Sequence, residues 1–250
     1  MHKLDPLFDT LKDIIGTCID QTKDIACADV RVSNVIKDFF ATHPVYQTFA
    51  FFSEEDQSQA FTLPMILLDP IDGTKEFIKG SDECVVSMSI LYSLDLHDQR
   101  NMHWIYNFRN QDEVLYNNRS FTVQHITSVP MQQTKYQTVI SRTEYKKYEL
   151  ARLDIPKLYM QPIGSIAYKL AALATQACDF VISIHNKHVW DIAAGSMMLS
   201  LQGYVFLEKH NPIQSLEQRL YHGPLIWLPK DKQDELMPLI HAILQNVDSV

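Results

Sequence analysis

Apolar residues in the first half of the chain follow helical spacing at first and strand spacing afterwards. The repeat in residues 4–18 predicts an amphipathic helix. A second helix is predicted to begin at Asp29 and to end before Pro44. The apolar or alternating runs that follow predict strands at residues 48–52, 65–68, 85–92, 104–107, 113–116 and 119–123. Asn-rich turns separate the later runs, which favours an antiparallel sheet.

The second half of the chain alternates between strand and helix patterns. A polar stretch at residues 128–135 separates the halves, so we predict a first part at residues 1–130 and a second at 131–250. Beyond it, strands are predicted at residues 138–141, 158–160, 180–184, 204–207 and 225–228, and helices at 143–153, 164–174, 191–201 and 236–244. The fold class is therefore α/β (α+β), with an α+β first part and an α/β second part.

Composition narrows the classes of function. A chain of 250 residues holds one large domain or two subdomains. A net charge of −8 argues against nonspecific nucleic-acid binding, which needs a basic surface. We find neither an apolar run of the roughly 18 residues that span a membrane nor a signal-peptide core. The four cysteines form no CxxC motif, which fits a reduced, cytoplasmic protein.

The segment Asp69-Pro70-Ile71-Asp72-Gly73-Thr74 carries the candidate chemistry. It follows an apolar run, and we predict a tight turn that places Asp69 and Asp72 together at a strand end. Residues after Gly73 are expected to open a helix, whose free N–H groups bind anions. The segment thus offers oxygen ligands to a divalent cation and donors to a phosphate. The alternative is a solvated turn of ordinary composition.

Further acidic residues occur at the ends of neighbouring elements. Glu54 and Glu55 follow an upstream apolar run, and Asp191 lies in the segment Trp190-Asp191-Ile192-Ala193-Ala194-Gly195. A glutamate pair, then D-P-[IL]-D-G-T-x-[EN]-F, then W-D-x-A-A-G resembles the magnesium-dependent, lithium-sensitive phosphatase superfamily. This superfamily contains inositol monophosphatases, fructose-1,6-bisphosphatases and 3'(2'),5'-bisphosphate nucleotidases. The segment DPIDGTKEFI, at residues 69–78, is most similar to the corresponding segment of the bacterial nucleotidases of the CysQ type.

The resemblance implies a layered αβαβα sugar-phosphatase-like fold and a site that binds two or three Mg²⁺ ions. One ion would be held by Glu54, Asp69 and the carbonyl of Ile71. A second would be held by Asp69, Asp72 and Asp191. A third is in doubt, because the threonine that precedes Asp29 in the family pattern is Ala26 here.

The same resemblance implies catalytic roles for Glu54, Thr74 and Asp29. Thr74 would orient the attacking water, and the N–H groups of Gly73 and Thr74 would bind the phosphate. Asp29 would act through Thr74, and the alternative for Asp29 is a plain helix cap. Glu55 would lie behind the metal ligands or be a solvated surface charge.

Substrate contacts are assigned to Arg142, Ser165 and Lys169. Arg142 stands in a Ser-Arg-Thr segment like that of the nucleotidases, where it would pair with a second phosphate; an ordinary surface arginine is the alternative. Ser165 belongs to a Gly-Ser element that shapes the family's pocket. Lys169 would reach the substrate or be exposed. Trp190 is expected to pack rather than stack on a base, and His185 and His188 give only a weak zinc signature.

The leading hypothesis is therefore a magnesium-dependent hydrolase that removes the 3'-phosphate of adenosine 3',5'-bisphosphate. An inositol monophosphatase or broader sugar phosphatase is the alternative within the family. A catalytically dead relative that serves as a binding protein is an alternative of another class. The expected partner is a small phosphate ester, with no nucleic acid and no membrane span, and a homodimer is left open.

Overall fold

The computed structural model describes residues 6–22, 27–58, 60–124 and 136–247. It contains seven α-helices in this part of the chain: α1 (Pro6–Gln21), α2 (Ala28–Thr42), α3 (Thr74–Ile78), α4 (Arg142–Lys147), α5 (Ile166–Ala174), α6 (Val189–Leu201) and α7 (Gln233–Val247). Two features of the sequence prediction lie outside the described residues: the polar stretch at 128–135 and position 26. The division at residue 130 therefore stays a prediction.

The first sheet has six strands in chain order. They are β1 (Ala50–Ser53), β2 (Met65–Asp72), β3 (Val85–Leu91), β4 (Met102–Tyr106), β5 (Glu113–Asn117) and β6 (Ser120–Gln124). β1 and β2 are parallel, and each later neighbour is antiparallel. The antiparallel meander predicted from the alternating pattern is confirmed.

The second sheet also has six strands, with crossovers between them. Its strands are β7 (Tyr136–Ser141), β8 (Leu158–Ile163), β9 (Phe180–Ser183), β11 (Tyr204–Glu208), β12 (Asn211–Pro212) and β14 (Leu225–Pro229). Their order is β12-β11-β14-β9-β7-β8, with β7 parallel to β8 and β9. A separate ribbon pairs β10 (Lys187–His188) with β13 (Leu220–Tyr221). The ribbon and β12 were not predicted, because two-residue strands leave no periodicity to detect.

Helices and sheets alternate in five layers. On the outer face of the first sheet, α1 and α2 bury residues such as Leu11 and Ile36 against Leu68 of β2. Between the sheets, α5 and α6 share one apolar cluster with β2 and β14. On the far side, α7 buries Ile240 against Ile226 of β14. The predicted α/β layering is therefore confirmed, and it places the start of α5 and of α6 beside the end of β2.

Two predictions about local structure were wrong. The segment from Asp69 to Asp72 is not a tight turn, because β2 continues to Asp72 with a register irregularity against β3 between these residues. Such an irregularity accommodates Pro70, which has no N–H for the ladder. The helix predicted at residues 143–153 is interrupted: α4 ends at Lys147, Glu149 has a left-handed φ of 48°, and a short 3-10 turn follows.

None of the helices in the described ranges is long and apolar enough to cross a membrane. No disulfide bond joins the four cysteines, all of which lie in the described ranges.

Candidate functional site

The end of β2 and the start of α3 form the base of the site. β2 carries Asp69 and Asp72, and Gly73 lies between the strand and α3. Gly73 has a φ of 95°, and a Cβ there would lie 2.7 Å from the carbonyl oxygen of Glu83. Both the backbone angle and the space therefore require glycine. The helix predicted after Gly73 is confirmed, with Thr74 as its first residue.

Three other elements bring acidic residues to this point. Glu54 follows β1, which runs parallel to β2, and its N–H donates to the carbonyl of Leu68 at 3.1 Å. Asp191 lies in the first turn of α6. Asp29 lies in the first turn of α2. The structure thus gathers carboxylates that are far apart in sequence.

These carboxyl groups disfavour one another's charge. Burial raises the pKa of Asp69 well above its usual value, and the nearby Asp72, Asp191 and Glu54 raise it further. Burial first and Asp72 second raise the pKa of Asp191 to about 7. Glu54 is exposed overall, but its carboxyl group is partly buried. This burial, followed by the charge of Asp29, raises the pKa of Glu54 to about 7. Such a cluster of hard oxygen donors is the kind that binds Mg²⁺.

Neighbouring donors hold the carboxylates. An oxygen of Asp72 accepts from the Ser165 hydroxyl at 2.6 Å and from the Ala167 N–H at 2.5 Å. Asp69 accepts from the N–H of Ile71 at 3.0 Å. Asp191 accepts from the N–H of His188 at 2.9 Å. Within the described ranges, no three acidic, histidine or cysteine side chains already enclose a point where an ion would sit. The donor chemistry therefore fits magnesium, and an ion would have to draw the side chains closer.

Thr74 links this cluster to Asp29. Its hydroxyl lies 3.4 Å from a carboxylate oxygen of Asp29 and 3.2 Å from the carbonyl oxygen of Ile71, and either oxygen can accept its single proton. The alternative of Asp29 as a helix cap was wrong, because the N-cap is Cys27 and no side chain caps the helix. Burial, followed by the charge of Glu55, raises the pKa of Asp29 to about 6, so it is mostly a carboxylate at neutral pH.

A cavity of about 380 Å³ opens beside the carboxylates. The predicted residues in its wall are Asp72, Gly73, Thr74, Ser165, Lys169 and Asp191. The hydroxyl oxygen of Ser165 caps α5 by accepting from the N–H of Tyr168, and the hydroxyl donates its proton to Asp72. Lys169 is not exposed, because only 2% of its surface is open to solvent. Glu55, in contrast, is an exposed residue.

Glu144 and Lys187 are among the residues of the cavity wall that sequence reasoning did not assign to the site. Glu144 is buried, and one of its oxygens accepts from the N–H groups of Ile184 and His185, each at 2.9 Å. It thereby fixes the loop that carries Lys187. The Ser-Arg-Thr-Glu segment pointed to this region, but only the fold shows that the glutamate turns inward.

Arg142 does not line this cavity. Both terminal nitrogens of its guanidinium donate to the carboxylate of Glu83. The same carboxylate accepts from the N–H of Gly164 at 2.6 Å. A contact between Arg142 and a substrate phosphate stays a prediction, and the substrate would have to compete with Glu83 for it.

His185 and His188 do not converge as a zinc pair. The Nδ1 of His185 lies 2.9 Å from Glu144. The His188 ring stacks on Trp190 with centroids 4.4 Å apart. Trp190 is 3% exposed, so the expectation that it packs in the core is confirmed.

Removing divalent metal should make the stability of the protein depend on pH between about pH 4 and pH 7. Asp69 and Asp191 have raised pKa values in the folded chain, so the folded state holds protons that the unfolded state releases near pH 4. The free energy of unfolding should therefore fall as pH rises through this window. Magnesium should remove that loss by pairing the charges.

Calorimetric melting from about pH 4 to about pH 8, with magnesium and with a chelator, measures this effect. Buried His103, whose pKa is lowered to about 3, acts in the opposite sense in both conditions, so the difference between the two curves isolates the carboxylates. Superimposed curves at millimolar magnesium would favour a catalytically dead relative.

Comparisons with known proteins agree with this architecture. A family model described as the inositol monophosphatase family matches residues 16–248. A search of curated proteins found no significant match. An IMPase from Thermotoga maritima is 15% identical, with a TM-score of 0.73 over 98% of this chain and 99% of that one.

Two further structures are similar over most of their length. A staphylococcal IMPase-II with bound 2'-AMP is 14% identical, with a TM-score of 0.69 and coverage of 98% of this chain and 96% of that one. An IMPase/NADP phosphatase in complex with Mg²⁺ and phosphate is 16% identical, with a TM-score of 0.68 and coverage of 93% and 91%. At such identities the structural likeness establishes the fold alone.

Proposed function

The chain belongs to the inositol monophosphatase family, and from that premise we propose that it uses magnesium at the carboxylate cluster to hydrolyse a small phosphate monoester. The observation that carries the proposal is the convergence of Asp69, Asp72 and Asp191 beside a cavity of about 380 Å³. Carboxylates that raise one another's pKa need cations to stay together in their charged form. A cavity of this size suits a sugar phosphate or a nucleotide.

Each predicted metal ligand has a place in this proposal. Glu54, Asp69 and the carbonyl of Ile71 would hold one magnesium ion, and Asp69, Asp72 and Asp191 would hold another. Bound magnesium supplies an ionised water and neutralises charge on the phosphoryl oxygens and the leaving group. Ser165 keeps the Asp72 carboxylate in place by donating to it.

The remaining steps belong to the residues around Thr74. The Thr74 hydroxyl donates to Asp29 or to the carbonyl of Ile71, which leaves its lone pairs free to accept a hydrogen bond from the attacking water. Asp29 would take up the proton that the water passes through Thr74. The first hydrogen bond of α3 runs from the N–H of Phe77 to the carbonyl of Gly73. The N–H groups of Gly73 and Thr74 precede this bond, so they have no partner within the helix and would donate to the phosphate.

We propose an inositol or sugar phosphate as the first substrate class to test, because the match to the family model covers nearly the whole chain. Adenosine 3',5'-bisphosphate is the second candidate. The segment DPIDGTKEFI favours this nucleotide, since it is most similar to the nucleotidase branch of the family. Arg142 would then contact the second phosphate.

The deciding experiment is phosphate release, with magnesium, from inositol 1-phosphate and adenosine 3',5'-bisphosphate side by side. A preference for the inositol ester would support the first class, and a preference for the nucleotide would support the second. Hydrolysis of neither, at any magnesium concentration, would contradict the proposal. Omission of magnesium is the control, and it should abolish release from both esters.

A further inference from the structure

The turn that carries Glu54 is closed by hydrogen bonds between its first and last residues. The N–H of Ser53 donates to the carbonyl of Asp56 at 3.1 Å, and the N–H of Asp56 donates to the carbonyl of Ser53 at 3.2 Å. The N–H of Asp56 also lies 3.0 Å from the hydroxyl oxygen of Ser53, which accepts from it. Glu54 and Glu55 are therefore the two central residues of a turn that is closed at its base.

A polar stripe of α2 faces this turn. Asp29, Ser33 and Lys37 are spaced four residues apart, so they lie on one side of the helix. Val32 and Ile36, in the adjacent apolar stripe, are buried in the cluster that joins α2 to the first sheet. Ser33 is 2% exposed, and a buried hydroxyl is costly unless it has a hydrogen-bond partner.

Two contacts join the polar stripe to the turn. The hydroxyl oxygens of Ser33 and Ser53 lie 3.0 Å apart, and both side chains are buried. The ammonium group of Lys37 lies 2.5 Å from a carboxylate oxygen of Asp56, in a partly exposed ion pair. The turn is therefore tied to α2 at its first residue and at its last.

These contacts act against a repulsion between acidic groups. Asp29 lies on α2, and Glu54 is close enough to it for each negative charge to disfavour the other. A loose turn would relieve this repulsion by carrying Glu54 away from the helix. Because the turn is tied at both ends, its main chain keeps Glu54 beside the other carboxylates.

We propose that Ser33, Lys37 and Asp56 are positioning residues that hold Glu54 in place for magnesium binding. They would act through Glu54 rather than contact the ion or the substrate. The inference rests on the proposed function, because Glu54 is taken to be a ligand of one ion. Replacing a partner that orients a metal ligand typically weakens metal affinity by about tenfold to a hundredfold. The affinity for magnesium is therefore the property that should depend on these residues.

The test is a calorimetric titration of magnesium into the substrate-free protein after divalent metal has been removed. Glu54→Gln identifies the binding step of the ion in question, because this variant should lose that step. Lys37→Met removes the charge of the lysine and keeps most of its length. In this variant the Kd of the step should rise about tenfold to a hundredfold, and Ser33→Ala should also raise it. At saturating magnesium, kcat should stay close to that of the parent.

Lys12→Met is the matched control. Lys12 lies on α1, in the same layer as α2, and its ammonium group lies 2.7 Å from a carboxylate oxygen of Glu113 on β5. Its side chain is 15% exposed against 38% for Lys37, so its loss should lower the melting temperature at least as much. It should nevertheless leave the Kd for magnesium unchanged. Lys37→Arg keeps a cation beside Asp56 and should retain the Kd of the parent.

An unchanged Kd in both Lys37→Met and Ser33→Ala would overturn the inference and leave the proposed function intact. An equal rise in Lys12→Met would also overturn it, because the effect would then follow from lost stability. A parent that binds magnesium but hydrolyses no ester would contradict the proposed function, and the titrations would still decide whether these residues position Glu54. A parent that binds no magnesium would contradict both.

Discussion

Replacing Asp72 with asparagine is expected to lower turnover by at least about a hundredfold, or about 2.7 kcal/mol of barrier, without unfolding the protein. The amide oxygen of asparagine can still accept from Ser165 and Ala167, which hold the aspartate in the parent. The amide nitrogen cannot bind a cation, so one proposed magnesium ligand is lost. The measurement is kcat for the better substrate at saturating magnesium.

Asp82→Asn provides the matched control for this change. Asp82 is exposed and close to the site in sequence, and among the described residues its hydrogen bond is made by the main-chain carbonyl, which accepts from the side chain of Asn107. Its activity should equal that of the parent. If Asp72→Asn keeps its turnover within about tenfold, which is about 1.4 kcal/mol, the metal assignment is wrong.

Thr74→Val should reduce kcat by about a hundredfold or more and change KM little, because a positioned proton acceptor contributes about that much. Valine has the shape of threonine but cannot bond to Asp29, to the carbonyl of Ile71 or to a water. The loss should therefore fall on the chemical step.

Thr74→Ser is the control, because it keeps the hydroxyl and removes only a methyl group. It should retain most of the parent's kcat. Equal losses in the serine and valine variants would show that the side chain acts through packing, and the proposed relay to Asp29 would be wrong. Melting temperatures of both variants check that the fold is intact.

The layered fold could be predicted because it depends on patterns that repeat along the chain. The alternation in β3 to β6 predicted the meander, and the helical spacing around Leu11 predicted α1. The acidic residues of the site were also visible, because they stand at the ends of predicted elements and match motifs that resemble the family's. Asp69 and Asp72 were assigned to a turn because proline and glycine normally mark turns, but pairing with β3 extends the strand through them.

Contacts between distant parts of the chain could not be predicted in the same way. Arg142 binds Glu83, and nothing in either segment indicates the other. Lys169 lies on α5, which is buried on nearly every side, so helical periodicity does not distinguish an inner from an outer face. Glu144 lies on a short polar helix, where a glutamate is usually exposed, and only the approach of residues 184 and 185 makes it a buried acceptor.

The hydrogen bonds that Ser165 and Ala167 donate to Asp72 have a consequence for biosynthesis. Asp72 is synthesised early, with the first sheet, whereas its two donors follow about ninety residues later. Synthesis proceeds at roughly 5–20 residues per second. For several seconds a nascent chain would expose an acidic cluster without the α5 donors that fix it. Catalytic competence should therefore arise late, when the second sheet has formed behind α5, and a chain truncated before Gly164 should have no phosphatase activity.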